Sequence, residues 1–315
     1  MSEVMVEVEG RRLKLTNLDK VLYPQTGTTK GEVLHYYAQI APVLLPHLAG
    51  RCVTRIRWPH GVSQPSFFEK NVPAGTPSWV RTARVPTTGS RAWGRDAASR
   101  SGPGSDELVF PIVEDLATLT WLANLAALEL HVHQWTVDAD GHGLPPNRLV
   151  IDLDPGEPAG LSECCQVALL VRDRLAERGL EGRPVTSGSK GLHLYAALDA
   201  GDAETPGPLS ADDVSALAKE IAEGLQADHP QLVTASMTKQ RRTGRVFLDW
   251  SQNVAAKTTV SPYSLRGRER PMVATPITWA EVEAGAEDPL GLEQFDFQQV
   301  LDRVVTLGDL FAPLR

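Results

Sequence analysis

The chain has 315 residues, 42% hydrophobic and 22% charged, which is enough apolar material for one or two domains with a large core and excludes a disordered polymer. Its 31 Lys and Arg against 39 Asp and Glu leave a net charge of −8, so the chain is not a uniformly basic nucleic-acid coat. No apolar run approaches the roughly 18 residues of a membrane-spanning helix, and MSEVMVEVEG is acidic and alternating, unlike a signal peptide.

In chain order, MVEVEGRRLKLT alternates on both sides of Gly10 and predicts a hairpin. Thr29 and Glu32 have capping-box spacing ahead of a helical pattern, which Pro42 and Pro46 are expected to break or restart. CVTRIRWP reads as a strand and PSFFEKN as a short extended piece. The Gly-, Ser- and Arg-rich stretch Thr82 to Asp106 has no apolar periodicity and reads as an exposed loop. ATLTWLANLAALEL predicts a helix running into a strand, HVHQWTV. NRLVIDLDP is a strand ended by Pro155 and Gly156, and a helix follows from about Ser162 to Arg178. PVTS and LHLYAAL are short strands around SGSKG, and Ser210 caps a helix ending near Asp228. RVFLDWSQN and KTTVSPYSL read as strands, and FDFQQVLDRVVTLGDLF as a helix. Strands and helices mix without regular βαβ repetition, so the expected class is α+β rather than a doubly wound sheet.

Charge is unevenly spread. Lys239 to Arg270 carries eight basic residues against Asp249 and Glu269, whereas Asp199 to Asp228 and Glu281 to Asp302 are acidic. A basic working face with an acidic back fits these blocks, and merely solvated surfaces fit them equally well. The three cysteines, Cys52, Cys164 and Cys165, form no C-x-x-C; they suggest neither disulfides nor a zinc ribbon, and a reducing cytoplasm is the simplest home.

The chemistry starts at LVIDLDPG. Residues i and i+2 of a strand share a face, so Asp152 and Asp154 project together with Cα atoms roughly 6.6 Å apart. Carboxylates that close repel unless a cation or proton relieves them. Asp249, ending the apolar run RVFL, is a third; three carboxylates from two strands could hold two Mg²⁺ or Mn²⁺ ions for in-line phosphoryl or nucleotidyl transfer. Asp249 read alone is a turn cap before SQN. In TSGSKGLHLY, Gly188 and Gly191 let backbone N–H groups reach oxygens, while Ser187, Ser189, Lys190 and His193 add polar groups suited to a triphosphate. In H-x-H at His131 and His133, a strand histidine with a satisfied N–H is the better reading of His131 from the residues alone, and the pair could also suggest a zinc site. Phe67 and Phe68, being adjacent, point to opposite sides; at most one is expected in the core, leaving the other as a stacking surface.

D-h-D, S-x-S-x-x-x-H and h-D (h, apolar), in this order, resemble the motifs of the archaeo-eukaryotic primase superfamily. More closely, LTNLDKVLYP, TGTTK, RWPHGV, FFEK, LELHVHQW, LVIDLDPGE, VTSGSKGLHLY, VFLDWSQN and KTTVSPYSLRGR resemble the polymerase domain of bacterial ligase D, from about Leu13 to Leu310. The resemblance implies a primase-like catalytic core with mixed or antiparallel sheets flanked by helices, in one domain of residues 1–315 whose N-terminal part (about 1–115) packs on a catalytic core (about 116–315). It puts the metal ligands at Asp152, Asp154 and Asp249. It assigns the incoming NTP or dNTP to Ser187, Lys190, His193, His131, Arg57, Arg242, Gln252 and Arg266. Lys20 and Lys30 then hold the downstream 5′-phosphate of gapped or broken DNA, and Phe67 and Phe68 meet the template. Mn²⁺ and ribonucleotides would be preferred, with Ku or a separate DNA ligase left open as partners and a bacterial, nucleoid-associated location. Two departures stand out: Ile56 replaces the basic residue expected before Arg57, and the Thr82–Asp106 loop, with Arg84, Arg91, Arg95 and Arg100, is long. Without recognisable ligase and nuclease regions, the sequence reads as a stand-alone polymerase. The competing readings are a metallo-phosphohydrolase and a non-catalytic DNA-end binder.

Overall fold

The computed structural model describes residues 3–86, 107–198 and 208–314. Two compact units alternate along the chain: Met1–Gly143, Thr258–Val273 and Asp296–Gly308 form one, and Leu144–Lys257, Ala274–Phe295 and Asp309–Arg315 the other.

In the first unit, Glu3–Val8 and Arg11–Thr16 pair as the expected hairpin, with Glu9 and Gly10 both at positive φ in the turn. Thr29 caps the helix Lys30–Leu48 through a full capping box with Glu32. That helix runs unbroken through Pro42 and Pro46, contrary to expectation. Each proline removes one helical hydrogen bond, a cost of about 3 kcal/mol in isolation. Burial of Val33, Tyr36, Tyr37, Ile40, Leu44 and Leu48 along one face outweighs it. The Tyr36 and Tyr37 hydroxyls add anchors, donating to the carbonyls of Tyr263 (2.8 Å) and Leu128 (2.6 Å).

A four-stranded sheet runs Thr259–Val260, Ala127–Val132, Val53–Arg57, Phe67–Glu69, antiparallel throughout. The helix before it, Leu116–Asn124, ends sooner than its composition suggests: Ala126 takes φ +57, and ALEL is already strand. KTTVSPYSL contributes only Thr259–Val260 as strand, since Tyr263 also turns to positive φ. Thr82–Pro86, expected to open the long loop, is instead a strand paired with Glu107–Pro111. The rest of that loop, with Arg91, Arg95 and Arg100, lies outside the described residues.

The second unit is built on a six-stranded sheet in the order Val233–Thr234, Val246–Asp249, Arg148–Pro155, Leu192–Ala197, Gly182–Thr186, Thr275–Pro276. Only the first pair is parallel. Leu149, Ile151 and Leu153 face a core shared with the helices Leu161–Ala176 and Ala211–Asp228, so the intervening Val150, Asp152 and Asp154 belong to the opposite face. RVFLDWSQN is strand only to Asp249, and Trp250–Asn253 closes as a 3₁₀ turn. Asn253 pins that turn, receiving the Val150 N–H at 2.9 Å and donating to the Val150 carbonyl at 2.7 Å. The chain is therefore α+β, as its mixed pattern implied. Among the described residues no helix is long and apolar enough to cross a membrane.

Candidate active site

The six-stranded sheet brings the acidic residues together by register. Asp152 lies directly opposite Asp249 on one neighbouring strand and opposite His193 on the other; Asp154 faces Phe247 one pleat further on. Opposed residues of an antiparallel pair hold their Cβ atoms about 5 Å apart on one face. His193 is buried, and its Nε2 sits 3.4 Å from Asp152 Oδ1. Asp154, at the strand's open end, is exposed.

Asp249 is both a strand residue and a cap, so its two sequence readings are compatible. Its Oδ1 accepts the Ser251 N–H (3.1 Å) and the Ser251 hydroxyl, which holds the 3₁₀ turn. Oδ2 accepts from Gln252 Nε2 at 2.8 Å, so Gln252, assigned to the nucleotide, is engaged here with the carboxylate. Lys257 was not singled out in the sequence beyond its basic block. Its Nζ donates to Ser251 Oγ and lies 3.8 Å from Asp249 Oδ2.

The SGSKG turn is fastened to the acidic strand. Ser187 Oγ accepts the N–H groups of Ser189 and Gly191 at 3.2 Å each, and Ser187 N–H donates to the Gly191 carbonyl at 3.0 Å. Ser187 thus shapes the loop as well as offering a hydroxyl. A Cβ on Gly191 would sit 1.9 Å from the Leu153 carbonyl oxygen, so only glycine lets the loop lie this close to Asp152 and Asp154. Gly156 plays the same part on the other flank: its Cβ would meet the Arg242 carbonyl oxygen at 2.0 Å. Arg242 is then laid over the Phe247 ring, 3.6 Å from its centroid, and donates to the Met237 carbonyl at 3.2 Å. Lys190 and Glu157 form an exposed ion pair at 2.9 Å, whose hydrogen bond holds the Glu157 carboxyl below its usual range. Such a surface pair is weak and leaves Lys190 able to exchange partners.

In the first unit, His131 and Arg266 meet on Glu129, which the sequence reading passed over. Glu129 Oε2 takes His131 Nε2 at 2.7 Å; Oε1 takes the Gly267 N–H at 2.9 Å and faces Arg266 Nε at 3.3 Å. Arg57, also assigned to the nucleotide, pairs with both oxygens of Glu69 (2.9 and 3.0 Å) and donates to the Leu125 carbonyl. His133 lies just beyond the strand, which ends at Val132. It is fully buried, its Nδ1 3.2 Å from the Cys52 carbonyl and its ring against Trp135 and Phe110, and burial lowers its pKa to about 3. Among the described residues neither histidine belongs to a group of three possible metal ligands, which a zinc site would need.

Lys30 is buried, donating to the Thr16 carbonyl at 2.6 Å, and its backbone N–H donates to the Lys20 carbonyl at 2.8 Å, which sets the two lysines side by side. Burial, and next the Lys20 charge, lower the Lys30 pKa to about 8. Phe67 and Phe68 are 44% and 40% exposed, so neither enters the core. That is within the expectation of at most one inward phenylalanine, and it follows from Phe67–Glu69 being an edge strand, paired among the described residues with Val53–Arg57. Separately, Asp138, Asp140 and His142 bring ligand atoms within 4.8 Å of one another, in an exposed turn where Asp138 Oδ1 accepts two backbone N–H groups.

Comparison with known proteins identifies the family. A family described as the LigD primase-polymerase domain matches residues 29–311. The chain is 48% identical over 303 residues to the multifunctional non-homologous end joining protein LigD of Mycolicibacterium smegmatis, covering 96% of this chain and 36% of that protein. It is 32% identical to the bifunctional LigD of Bacillus subtilis, covering 94% and 43%. The chain thus spans about two fifths of the length of these relatives. Among solved structures, the polymerase domain from Mycobacterium tuberculosis ligase D in complex with DNA superposes with a TM-score of 0.84 at 45% identity, over 96% of this chain and 98% of that one. With a match spanning nearly all its length and an acidic strand, glycine-bound loop and histidine in the expected order, the chain belongs to the LigD primase-polymerase domain family.

Proposed function

We propose that the chain is a template-directed repair polymerase, adding nucleotides to a primer 3′-hydroxyl at short gaps or broken ends by nucleotidyl transfer. The observation that carries this reading is the row His193, Asp152, Asp249 across one sheet face, with a triphosphate-type loop fastened to the same strand at Leu153. Asp152, Asp154 and Asp249 are hard oxygen donors, the set that suits Mg²⁺ or Mn²⁺. Bound there, a pair of such ions would favour deprotonation of the 3′-hydroxyl and offset charge on the departing pyrophosphate. Around that chemistry, Ser187, Lys190, His193, Arg242 and Gln252 hold the nucleoside triphosphate, and His131, Arg57 and Arg266 are assigned to it by the family resemblance. Lys20 and Lys30 receive the downstream 5′-phosphate. Phe67 and Phe68 offer aromatic faces to a template base, worth about 1–3 kcal/mol per stacked base. Ribonucleotides are the favoured substrate, end joining or excision gap filling the setting, and Ku or a separate ligase the partners, in the bacterial cytoplasm.

Primer extension on gapped DNA, with and without the downstream 5′-phosphate, NTP against dNTP and Mn²⁺ against Mg²⁺, tests the reading. Extension stimulated by the 5′-phosphate is expected. Phosphodiester cleavage with no nucleotide addition would instead establish the phosphohydrolase alternative.

Lys30 gives a pH signature. A 5′-phosphate is a dianion across pH 7 to 9, whereas Lys30 loses its proton near pH 8. Affinity for 5′-phosphorylated gaps should therefore fall about tenfold from pH 7 to pH 9, beyond any change for unphosphorylated gaps. The stability of the free protein should move the other way. Its folded pKa lies below the unfolded value, so the unfolded chain holds the proton that the fold has lost, and stability rises with pH above about 8. Parallel pH dependence for both DNAs would remove Lys30 from phosphate binding.

A further inference from the structure

A carboxylate is an unexpected companion for groups that bind a triphosphate, since it repels the same charge they attract. Glu129 is nevertheless placed between His131 and Arg266, with its side chain only 6% exposed. Burial acts to raise its pKa, but the His131 hydrogen bond, the Arg266 and His131 charges and the Gly267 N–H outweigh it and leave it lowered to about 2. Glu129 is thus ionised at any working pH and can only accept hydrogen bonds. An accepting Oε2 takes its hydrogen from His131 Nε2, which leaves Nδ1 as the ring's other polar atom. The Arg266 guanidinium lies beside the same carboxylate, its Nε 3.3 Å from Oε1. Its backbone is held as well: the Arg266 N–H donates to the Met272 carbonyl at 2.8 Å, its carbonyl accepts from the Tyr23 hydroxyl at 2.8 Å, and the following N–H ends on Glu129. At Gly267 the chain passes so close to Trp58 that a Cβ would lie 2.2 Å from the indole ring.

We infer that Glu129 is a positioning residue for the incoming nucleotide, orienting His131 and Arg266 through one carboxylate without itself touching substrate. The inference rests on the assignment of those two side chains to the triphosphate. Because Glu129 acts through two cationic or polar groups at once, its loss should weaken nucleotide binding more than it slows the chemical step. Glutamine keeps the shape and one acceptor oxygen, enough for His131 or Gly267 but not both, and gives up the charge facing Arg266, so E129Q should still be milder than E129A.

Steady-state extension of a gapped primer with E129Q, E129A, H131A, R266A and the combined E129Q/R266A and E129A/H131A proteins tests this, beside thermal melting. The expected result is a nucleotide KM raised about tenfold in E129Q and more in E129A, with kcat within about threefold of the parent. In the combined proteins the effects should fall well short of multiplying, as groups in one network do. If H131A and R266A leave the nucleotide KM unchanged, their assignment to the triphosphate is wrong and the role of Glu129 goes with it. If they raise KM while the Glu129 variants do not, or if the variants only lower the melting temperature, the positioning role alone is overturned. Should E129A fail to fold, E129Q and its combination with R266A decide the matter.

Discussion

Asp152→Ala should abolish nucleotide addition, by about 10³-fold or more in kcat, while leaving the fold at least as stable as before. Asp152 stands opposite Asp249 in the ladder, and its Oδ1 lies 3.4 Å from His193 Nε2. Removing its carboxylate takes away a cation ligand and also a like-charge repulsion, so activity and melting temperature should separate. Asp249→Ala should behave differently. It removes the same kind of ligand, but it also strips the acceptor that Ser251 and Gln252 use, so a stability loss of about 1 kcal/mol should accompany the loss of activity. Extension assays paired with thermal melts check both. Appreciable extension by Asp152→Ala would refute the catalytic assignment of the acidic row.

Gly191→Ala should produce the largest effect of any single methyl added to the second unit's loop. The new Cβ would lie 1.9 Å from the Leu153 carbonyl oxygen, which belongs to a strand hydrogen-bonded on both sides and cannot retreat. The loop must move instead, breaking the Ser187–Gly191 bonds and the 3.0 Å bond from Gln294 to the Gly191 carbonyl. A cost of about 3 kcal/mol is expected, at the upper end of overpacking penalties. Nucleotide KM should rise with it, because Ser187 and Lys190 move with the loop. Gly188→Ala, at φ +64, should cost only about 1–2 kcal/mol through backbone strain. Equal effects of the two alanines on melting and KM would mean that the contact with Leu153 does not fix the loop.

Much of this is legible in the sequence alone. Period-2 alternation put Asp152 and Asp154 on one face, and the capping signals of Thr29 and Ser210 located two helix starts. Both are local properties of the chain. That Asp249 lies directly opposite Asp152 is a matter of register between strands nearly a hundred residues apart, which no local pattern encodes. Glu129 was passed over for the same reason: in LELHVHQW it reads as one polar residue of a strand, and its partners Arg266 and Gly267 are remote in sequence. Pro42 and Pro46 mislead in the opposite way, because a strong local signal yields to the burial of the helix face around them. Gly156 and Gly191 read as turn residues, whereas their stricter requirement is the nearness of another segment's backbone.

The alternation of the two units along the chain has a consequence for synthesis on the ribosome. The strand Thr259–Val260 completes one edge of the first unit's sheet, yet it emerges more than a hundred residues after Gly143. At about 5–20 residues per second, the N-terminal 143 residues wait roughly 6–23 s for that strand and longer for Asp296–Gly308. During that interval the strand Ala127–Val132 lacks one of its two neighbours, exposing a β-edge rich in apolar residues. Nascent chains stalled before residue 258 should therefore be good chaperone clients, and a cut at Gly143 would not release a self-sufficient N-terminal fragment.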